Sequence, residues 1–168
     1  VRTPYSCRPY AVEKFAELYN TYHKYYLRAG YIIVFQDVRG RFMSEGVFED
    51  IRPFITNKKS SKDIDEASDT YDTVDWLVNN VKNNNGNVGI MGISYPGFYA
   101  TMAALSGHPA LKAVSPQAPV TDWFRGDDFH HNGAFALMDA FNFYRSFGVP
   151  RPIPLKQYAA VKSKFSED

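Results

Sequence analysis

The chain has 168 residues, of which 45% are hydrophobic, and its formal net charge is +1 at pH 7. This length and composition indicate one globular domain with a real core. The near-neutral charge and the lack of a membrane-length apolar run argue against nucleic acid or a membrane as partner. No signal peptide is visible, the single Cys7 cannot form an internal disulfide, and the cellular compartment is left open.

Helical and strand patterns alternate through the first 116 residues. Apolar and aromatic side chains recur at helical spacing in three segments, and a short apolar run follows each of them. The pattern predicts, in chain order, a helix over 11–29, a strand over 31–36, a helix over 64–82, a strand over 88–92, a helix over 97–107 and a strand over 111–116. This order indicates an α/β fold in which the three strands are parallel neighbours in one sheet.

The loop between the first predicted strand and the second predicted helix, and residues beside it, allow more specific expectations. The loop over residues 40–63 is longer than most connections, and such loops are often functional. Asp37 and Arg39, at the turn that opens it, are expected to be structural, since an aspartate can accept backbone N–H groups and an arginine can tie loops together. Trp76, in the second helix, is expected in the core.

The composition changes after Pro119, where acids, histidines and aromatic residues mix. Residues 134–147 have helical spacing, and residues 155–165 form a further candidate helix after a proline-rich break. We interpret residues 1–119 as a partial α/β core. Residues 120–168 are interpreted as the start of a helical cap or lid, inserted over the sheet edge where open α/β folds bind ligands. The abrupt beginning and end predict a piece of a longer protein.

Ser94 lies in the most informative stretch, Gly92-Ile93-Ser94-Tyr95-Pro96-Gly97. An apolar strand leads into it and a helix of small residues leaves it, which is the strand, sharp turn and helix of a nucleophile elbow. The strained turn needs small neighbours, and Gly92 meets that need. The second glycine, Gly97, comes three residues after Ser94 and not the usual two. The alternative is an ordinary strand-to-helix turn with Ser94 as the helix cap.

Several motifs together resemble the X-Pro dipeptidyl-peptidase family of serine hydrolases, which includes cocaine-esterase-like enzymes, α-amino acid ester hydrolases and glutaryl-7-aminocephalosporanic acid acylases. They are Arg2-Thr3-Pro4-Tyr5, the run from Gln36 to Gly46, Gly86-Asn87-Val88-Gly89 and the stretch around Ser94. The stretch from Gly126 to Phe135 is most similar to the α-amino acid ester hydrolase branch.

This resemblance implies a partial α/β-hydrolase fold and a serine hydrolase that needs no cofactor. The substrates would be small esters or amides or short peptides, including α-amino acyl compounds, cleaved through an acyl-enzyme. The competing function is a non-catalytic member of the fold that serves as a binding or interaction module. Homo-oligomerisation is left open.

The resemblance also implies roles for individual residues. Ser94 would be the nucleophile, the backbone N–H of Tyr95 one oxyanion donor and the phenol of Tyr5 the other. Asp128, with Asp127 as its adjacent competitor, would bind the α-ammonium group of a substrate. From the residues alone, Tyr5 fits a buried aromatic residue with a satisfied hydroxyl, and either aspartate fits the N-cap of the cap helix.

The acid and the histidine of a catalytic triad follow the nucleophile on loops after later strands in this fold. We therefore expect both outside the chain and expect the 168 residues alone to be inactive. Two local alternatives have little support. One is a triad of Ser94, Asp122 and His130. The other is a metal site in which His130 and His131 act with Asp127 and Asp128, but no further ligand of convincing spacing appears, so no metal is expected.

Overall fold

A computed structural model of the chain describes residues 1–10, 17–145 and 147. In chain order the elements are β1 (Arg2–Thr3), a 3₁₀ turn (Leu18–Asn20), α1 (His23–Arg28), β2 (Gln36–Asp37), α2 (Glu66–Asn80), β3 (Val88–Ile93), α3 (Tyr95–Ala104), β4 (Leu111–Gln117), β5 (His130–His131), β6 (Ala134–Phe135) and α4 (Leu137–Tyr144). None of the described helices has the length and apolar character needed to cross a membrane. The candidate helix over 155–165 lies outside the described residues.

The six strands of the described residues form three separate two-stranded sheets. β3 and β4 are parallel neighbours, with Ile93 opposite Gln117, and α3 connects them as predicted. β1 pairs in parallel with β2, whereas β5 and β6 form a short antiparallel hairpin that the sequence did not predict. The α/β character and the parallel β3–β4 pair are confirmed, but the prediction that residues 31–36 join them in one sheet is wrong.

Residues 31–35 are not in a strand because the hydrogen-bonded ladder with β1 begins only at Gln36. The amino group of Val1 donates to the carbonyl of Val34 at 2.8 Å, and the N–H of Gln36 donates to the carbonyl of Val1 at 2.9 Å. Beyond this contact the run borders a cavity of about 950 Å³, which is lined on another side by Ile90 of β3. This cavity separates the run from the β3–β4 pair.

The helices begin and end where local hydrogen bonds dictate. Asp65 caps α2 by accepting the N–H of Ser68 at 2.8 Å, and the Ser68 hydroxyl accepts the N–H of Asp65 in return, a capping box that fixes the first turn. The predicted helix over 11–29 is reduced in the described residues to α1, because Thr21 is extended, with φ −122° and ψ 176°. Residues 11–16 lie outside the described part.

The core forms where α3 packs on the β3–β4 pair. Ala100 and Ala103 of α3 are fully buried and pack with Ile90 of β3, since small side chains allow a close approach of helix to sheet. On α2, Val74 is buried but Trp76 is 59% exposed. The expectation that Trp76 is a core residue is wrong because two residues along a helix lead to its opposite face.

A buried network of charges joins β1, the turn after β2 and α2. The Arg2 guanidinium, only 4% exposed, lies 3.1 Å from the Glu66 carboxylate and 4.0 Å from that of Asp69. Arg39 makes a two-point contact with Asp69, at 2.8 and 2.6 Å. The Asp37 carboxylate accepts hydrogen bonds from the segment that follows β1. Arg39 and Asp37 thus have the structural roles that the sequence predicted.

Candidate active site

Ser94 occupies the sharp turn between β3 and α3. Its backbone has φ 63° and ψ −122°, in the left-handed region of φ that costs a non-glycine residue free energy and persists only where the surroundings enforce it. The N–H of Ser94 donates to the carbonyl of Gln117 at 2.9 Å, which ties the turn to the end of β4. Ser94 stands at the N-cap of α3, but its hydroxyl makes no capping hydrogen bond. The alternative of an ordinary capping serine therefore finds no support.

Two glycines allow this turn to pack. A Cβ at Gly92 would collide with the carbonyl group of Pro96, in the first turn of α3. A Cβ at Gly97 would collide with the carbonyl oxygen of Gln117 in β4 and would lie 3.2 Å from the Cα of Pro119. The second glycine is therefore required where α3 meets β4, which accounts for its place three residues after Ser94.

Tyr95, the first residue of α3, is held by the long loop that precedes α2. Tyr95 is 3% exposed, and its ring stacks on that of Tyr99, with the ring centroids 5.1 Å apart. Its hydroxyl donates to Asp50 Oδ1 at 2.6 Å and accepts the N–H of Ile51 at 2.8 Å. Burial, followed by the neighbouring Tyr99 and Asp50, raises the pKa of Tyr95. Its backbone N–H belongs to the first turn of a helix, where N–H groups have no acceptor within the helix.

Tyr5 follows β1 and meets the same aromatic group. Its ring lies edge-on to those of Tyr95 and Phe147, with centroid separations of 6.1 and 6.0 Å. Tyr5 is 47% exposed, so it is not the fully buried aromatic residue of the alternative interpretation. Burial, then Asp128 and Asp50, raise the pKa of Tyr5. The phenol therefore stays protonated at neutral pH and remains a hydrogen-bond donor.

Asp127 and Asp128 form a tight turn ahead of β5, in which the Asp127 carboxylate accepts the N–H of Asp128 at 2.6 Å. The N-cap of α4 is Ala136, which makes no side-chain capping bond. The alternative that either aspartate caps this helix is therefore wrong. Asp128 is exposed, and its charge acts on Tyr5. That of Asp127 acts on Tyr144.

His130 and His131 lie in β5 with different surroundings. The His130 ring packs between those of Phe124 and Phe135, at centroid distances of 6.0 and 5.0 Å, while His131 is exposed. Asp122 accepts two backbone N–H groups of its own turn at 3.0 Å each, so the local-triad alternative gains no support. Among the described residues, no group of three or more histidine, cysteine or acidic side chains could hold a metal ion.

Beside Ser94, the Tyr95 side chain thus meets the Tyr5 ring and the Asp50 carboxylate, which come from segments far apart in the sequence. Sequence reasoning singled out Ser94, Tyr95, Tyr5 and Asp128, and the structure brings the rings of Tyr5 and Tyr95 into contact. It missed Asp50, for which the only signal was the unusual length of its loop. Carboxylates beside aromatic rings are suited to bind an organic cation.

Comparisons with known proteins agree on one family. A family model described as X-Pro dipeptidyl-peptidase (S15 family) matches residues 1–163. Cocaine esterase from Rhodococcus sp. (strain MB1 Bresler) is 34% identical over 112 residues, which are 67% of this chain and 17% of the esterase.

Two solved structures also match this chain. An α-amino acid ester hydrolase labelled with selenomethionine matches with a TM-score of 0.77 at 38% identity. An aminopeptidase from the marine sediment archaeon Thaumarchaeota archaeon matches with a TM-score of 0.76 at 36% identity. Each match covers 89% of this chain and 25% of the solved chain. The chain therefore spans a quarter or less of each of these relatives.

Proposed function

Because the chain belongs to the X-Pro dipeptidyl-peptidase (S15) family, a family of hydrolases, we propose that the full-length protein is a serine hydrolase with Ser94 as its nucleophile. The membership confirms the resemblance that the sequence carries. The observation on which the proposal rests is the turn at Ser94. A non-glycine residue with φ 63° ends a parallel strand, begins a helix and makes no capping bond, and a reactive serine on an elbow needs this arrangement.

The proposed reaction is acyl transfer in two steps. A base takes the Ser94 proton while Oγ forms a bond to the substrate carbonyl carbon, and the alcohol or amine leaves with a proton. Water then attacks the acyl-enzyme and releases the acid. The oxyanion of each step would accept hydrogen bonds from the backbone N–H of Tyr95 and the phenol of Tyr5. The positive end of the α3 dipole adds to this stabilisation.

The base and its acid partner are proposed to come from segments outside the 168 residues. Supporting this, the chain spans only 17% of the cocaine esterase and 25% of the α-amino acid ester hydrolase. Asp122, the acid in the local alternative, is already engaged by its own turn.

The substrate class we propose is esters or amides with a free α-amino group. Asp128 is the candidate for the ammonium contact because it is exposed and its charge acts on Tyr5 beside the Ser94 turn. A carboxylate can form a charge-assisted hydrogen bond with an ammonium group, and a substrate without that group offers it no such partner. Two matched structures are named an α-amino acid ester hydrolase and an aminopeptidase, which supports this choice.

The nucleophile is tested by covalent labelling of the full-length protein with a fluorophosphonate probe, followed by mass spectrometry of the labelled peptide. We expect one adduct, on Ser94, that disappears in Ser94→Ala. Ser115, an exposed serine on the adjacent strand β4, provides the matched control, and Ser115→Ala should label normally. A folded protein that does not react would refute the proposal and favour a binding or interaction module.

The substrate class is tested by comparing two activated esters that differ only in the α-amino group. Asp128→Asn should raise KM for the α-amino ester and leave KM for its analogue without the amino group unchanged. Asp127→Asn is the matched variant, because it removes the same charge one residue away. If Asp127→Asn alone discriminates between the esters, the ammonium contact belongs to Asp127, and if neither does, the α-amino assignment is wrong.

A further inference from the structure

Asp50 lies in the loop between β2 and α2 and has no assigned role in the proposed reaction. The Tyr95 hydroxyl donates to Asp50 at 2.6 Å, and the adjacent Ile51 N–H donates back to that hydroxyl at 2.8 Å. The phenol thus uses both its donor and its acceptor capacity on two consecutive loop residues.

The loop adopts an unusual backbone to make this contact. Ile51 has φ 43°, in the left-handed region that a β-branched residue rarely enters. Such a conformation costs on the order of 1–3 kcal/mol and persists only where the surroundings fix it. The cost is offset where the loop grips the Tyr95 hydroxyl and where Ile51 itself packs against the cluster that contains Tyr95.

The same carboxylate also faces α4. Burial and then Asp50 raise the pKa of Tyr144, near the end of that helix. The Tyr144 ring packs on Phe129, with the centroids 5.3 Å apart. Asp50 therefore lies where three segments meet: its own loop, the first turn of α3 and the end of α4.

Tyr95 directly follows Ser94, so whatever holds its side chain also holds the first N–H of α3. Resting on the proposed function, we infer that Asp50 is a positioning residue for the reaction at Ser94, which fixes the Tyr95 phenol and thereby aims the Tyr95 backbone N–H at the oxyanion. Asp50 does not touch the reacting atoms in this scheme. Its effect is expected on the rate of the chemical step and not on substrate binding.

The test uses the full-length protein and four variants: Asp50→Asn, Tyr95→Phe, the double variant, and Glu49→Gln as control. Glu49 is the adjacent carboxylate, 60% exposed and paired with Arg52, so its variant removes the same charge from the same loop. The readouts are the fluorophosphonate labelling rate, the fraction of protein labelled, and kcat and KM for an activated ester.

We expect Asp50→Asn and Tyr95→Phe each to lower kcat and the labelling rate by about tenfold or more, the scale on which small misplacements near a reacting centre act. KM should stay within about twofold, because no substrate contact is removed. The double variant should be no slower than Tyr95→Phe alone, since that substitution already removes the hydrogen bond to residue 50 that Asp50→Asn only weakens by taking away its charge. Glu49→Gln should behave as wild type.

The outcomes separate this inference from the proposed function. A wild-type protein that does not label refutes the proposed function, and this inference with it. A labelling wild type with an unchanged rate in Asp50→Asn overturns the inference and leaves the proposed function standing. A rise in KM alone would assign Asp50 to substrate binding, and a smaller labelled fraction at an unchanged rate would assign it to folding. Either result overturns the positioning role. If Asp50→Asn does not fold, Tyr95→Phe decides by the same criteria.

Discussion

Replacing Gly92 with alanine tests whether the turn at Ser94 depends on close packing at the end of β3. A Cβ at this position would lie 2.8 Å from the Cβ of Pro96 and closer still to the Pro96 carbonyl group. The first distance is roughly 0.7 Å inside the shortest favourable separation of two carbon atoms. A proline ring and a backbone carbonyl cannot rotate away, so Pro96 itself must move, and the first turn of α3 must move with it.

We expect Gly92→Ala to destabilise the protein by about 3 kcal/mol, the upper end of the range for overpacked sites. In the proposed mechanism, the same displacement would turn the Tyr95 N–H away from the oxyanion. The fluorophosphonate labelling rate of the molecules that remain folded should therefore fall by about tenfold or more. Both effects follow from one steric contact, so they should appear together.

Gly89→Ala is the matched control on the same strand. A Cβ at Gly89 would lie 3.7 Å from the carbonyl oxygen of Ala113 and 3.8 Å from its Cβ, which is ordinary contact. Its effect on the free energy of unfolding should be within about 1 kcal/mol of zero. Urea unfolding of both variants and the parent measures the difference. If Gly92→Ala is as stable as Gly89→Ala and labels at the parent rate, the steric account of the turn is refuted.

Three further predictions follow from the site and from α2. Tyr5→Phe should lower kcat of the full-length protein by roughly ten- to a thousandfold, as the loss of one oxyanion donor does, and an unchanged kcat in a folded variant would remove Tyr5 from the mechanism. The 168 residues expressed alone should turn over activated esters no faster than their Ser94→Ala form, because a serine hydroxyl without a base is a weak nucleophile. Turnover that Ser94→Ala abolishes would place the base inside the chain. Burial by itself would raise the pKa of Asp65, but hydrogen bonds from Lys58, two backbone N–H groups and a serine hydroxyl outweigh it and lower that pKa to about 2. The ionised Asp65 therefore contributes its full stabilisation when the pH is above 3.8, the ordinary pKa of the carboxyl. This contribution is lost as the pH falls towards 2. Asp65→Ala should cost about 1–2 kcal/mol at pH 7, and the cost, measured as Tm against pH, should shrink in acid.

The elements that the sequence predicted well are those whose signals are local. The helix predicted over 64–82 is found as Glu66–Asn80, because its periodicity and its N-terminal acids lie within the segment and the asparagines that end it follow directly. The strand predicted over 31–36 failed, since an apolar run becomes a strand only through a partner elsewhere in the chain. The hairpin β5–β6 carried a usable signal in Asn132-Gly133, whose φ values of 49° and 82° are those an Asn-Gly hairpin turn requires.

The same distinction between local and distant signals applies to the candidate site. The sharp turn at Ser94 could be predicted because the strand, the glycines and the helix are contiguous with it. Asp50 could not, because it meets Tyr95 across 45 residues of chain and no spacing rule connects a loop carboxylate to a helix N-terminus. The position of Trp76 on α2 could have been predicted from residue spacing. Ala67, Thr70 and Val74 are buried, and their spacing of three and four residues marks the inner face of the helix and places Trp76 on the outer face.

The buried pairing of Arg2 with Glu66 and Asp69 also restricts how β1 can align with β2. Successive residues of a strand face opposite sides, so a slip of one residue would replace Arg2 with Val1 or Thr3 at that point. Glu66, 3% exposed, would then face Asp69 with no cation from β1, and breaking a buried pair in this way costs about 3–5 kcal/mol. Burial already raises the pKa of Glu66, so the misaligned form would have to take up a proton or open to water. The charges therefore select one alignment of a two-residue strand that backbone hydrogen bonds alone would leave free to slide.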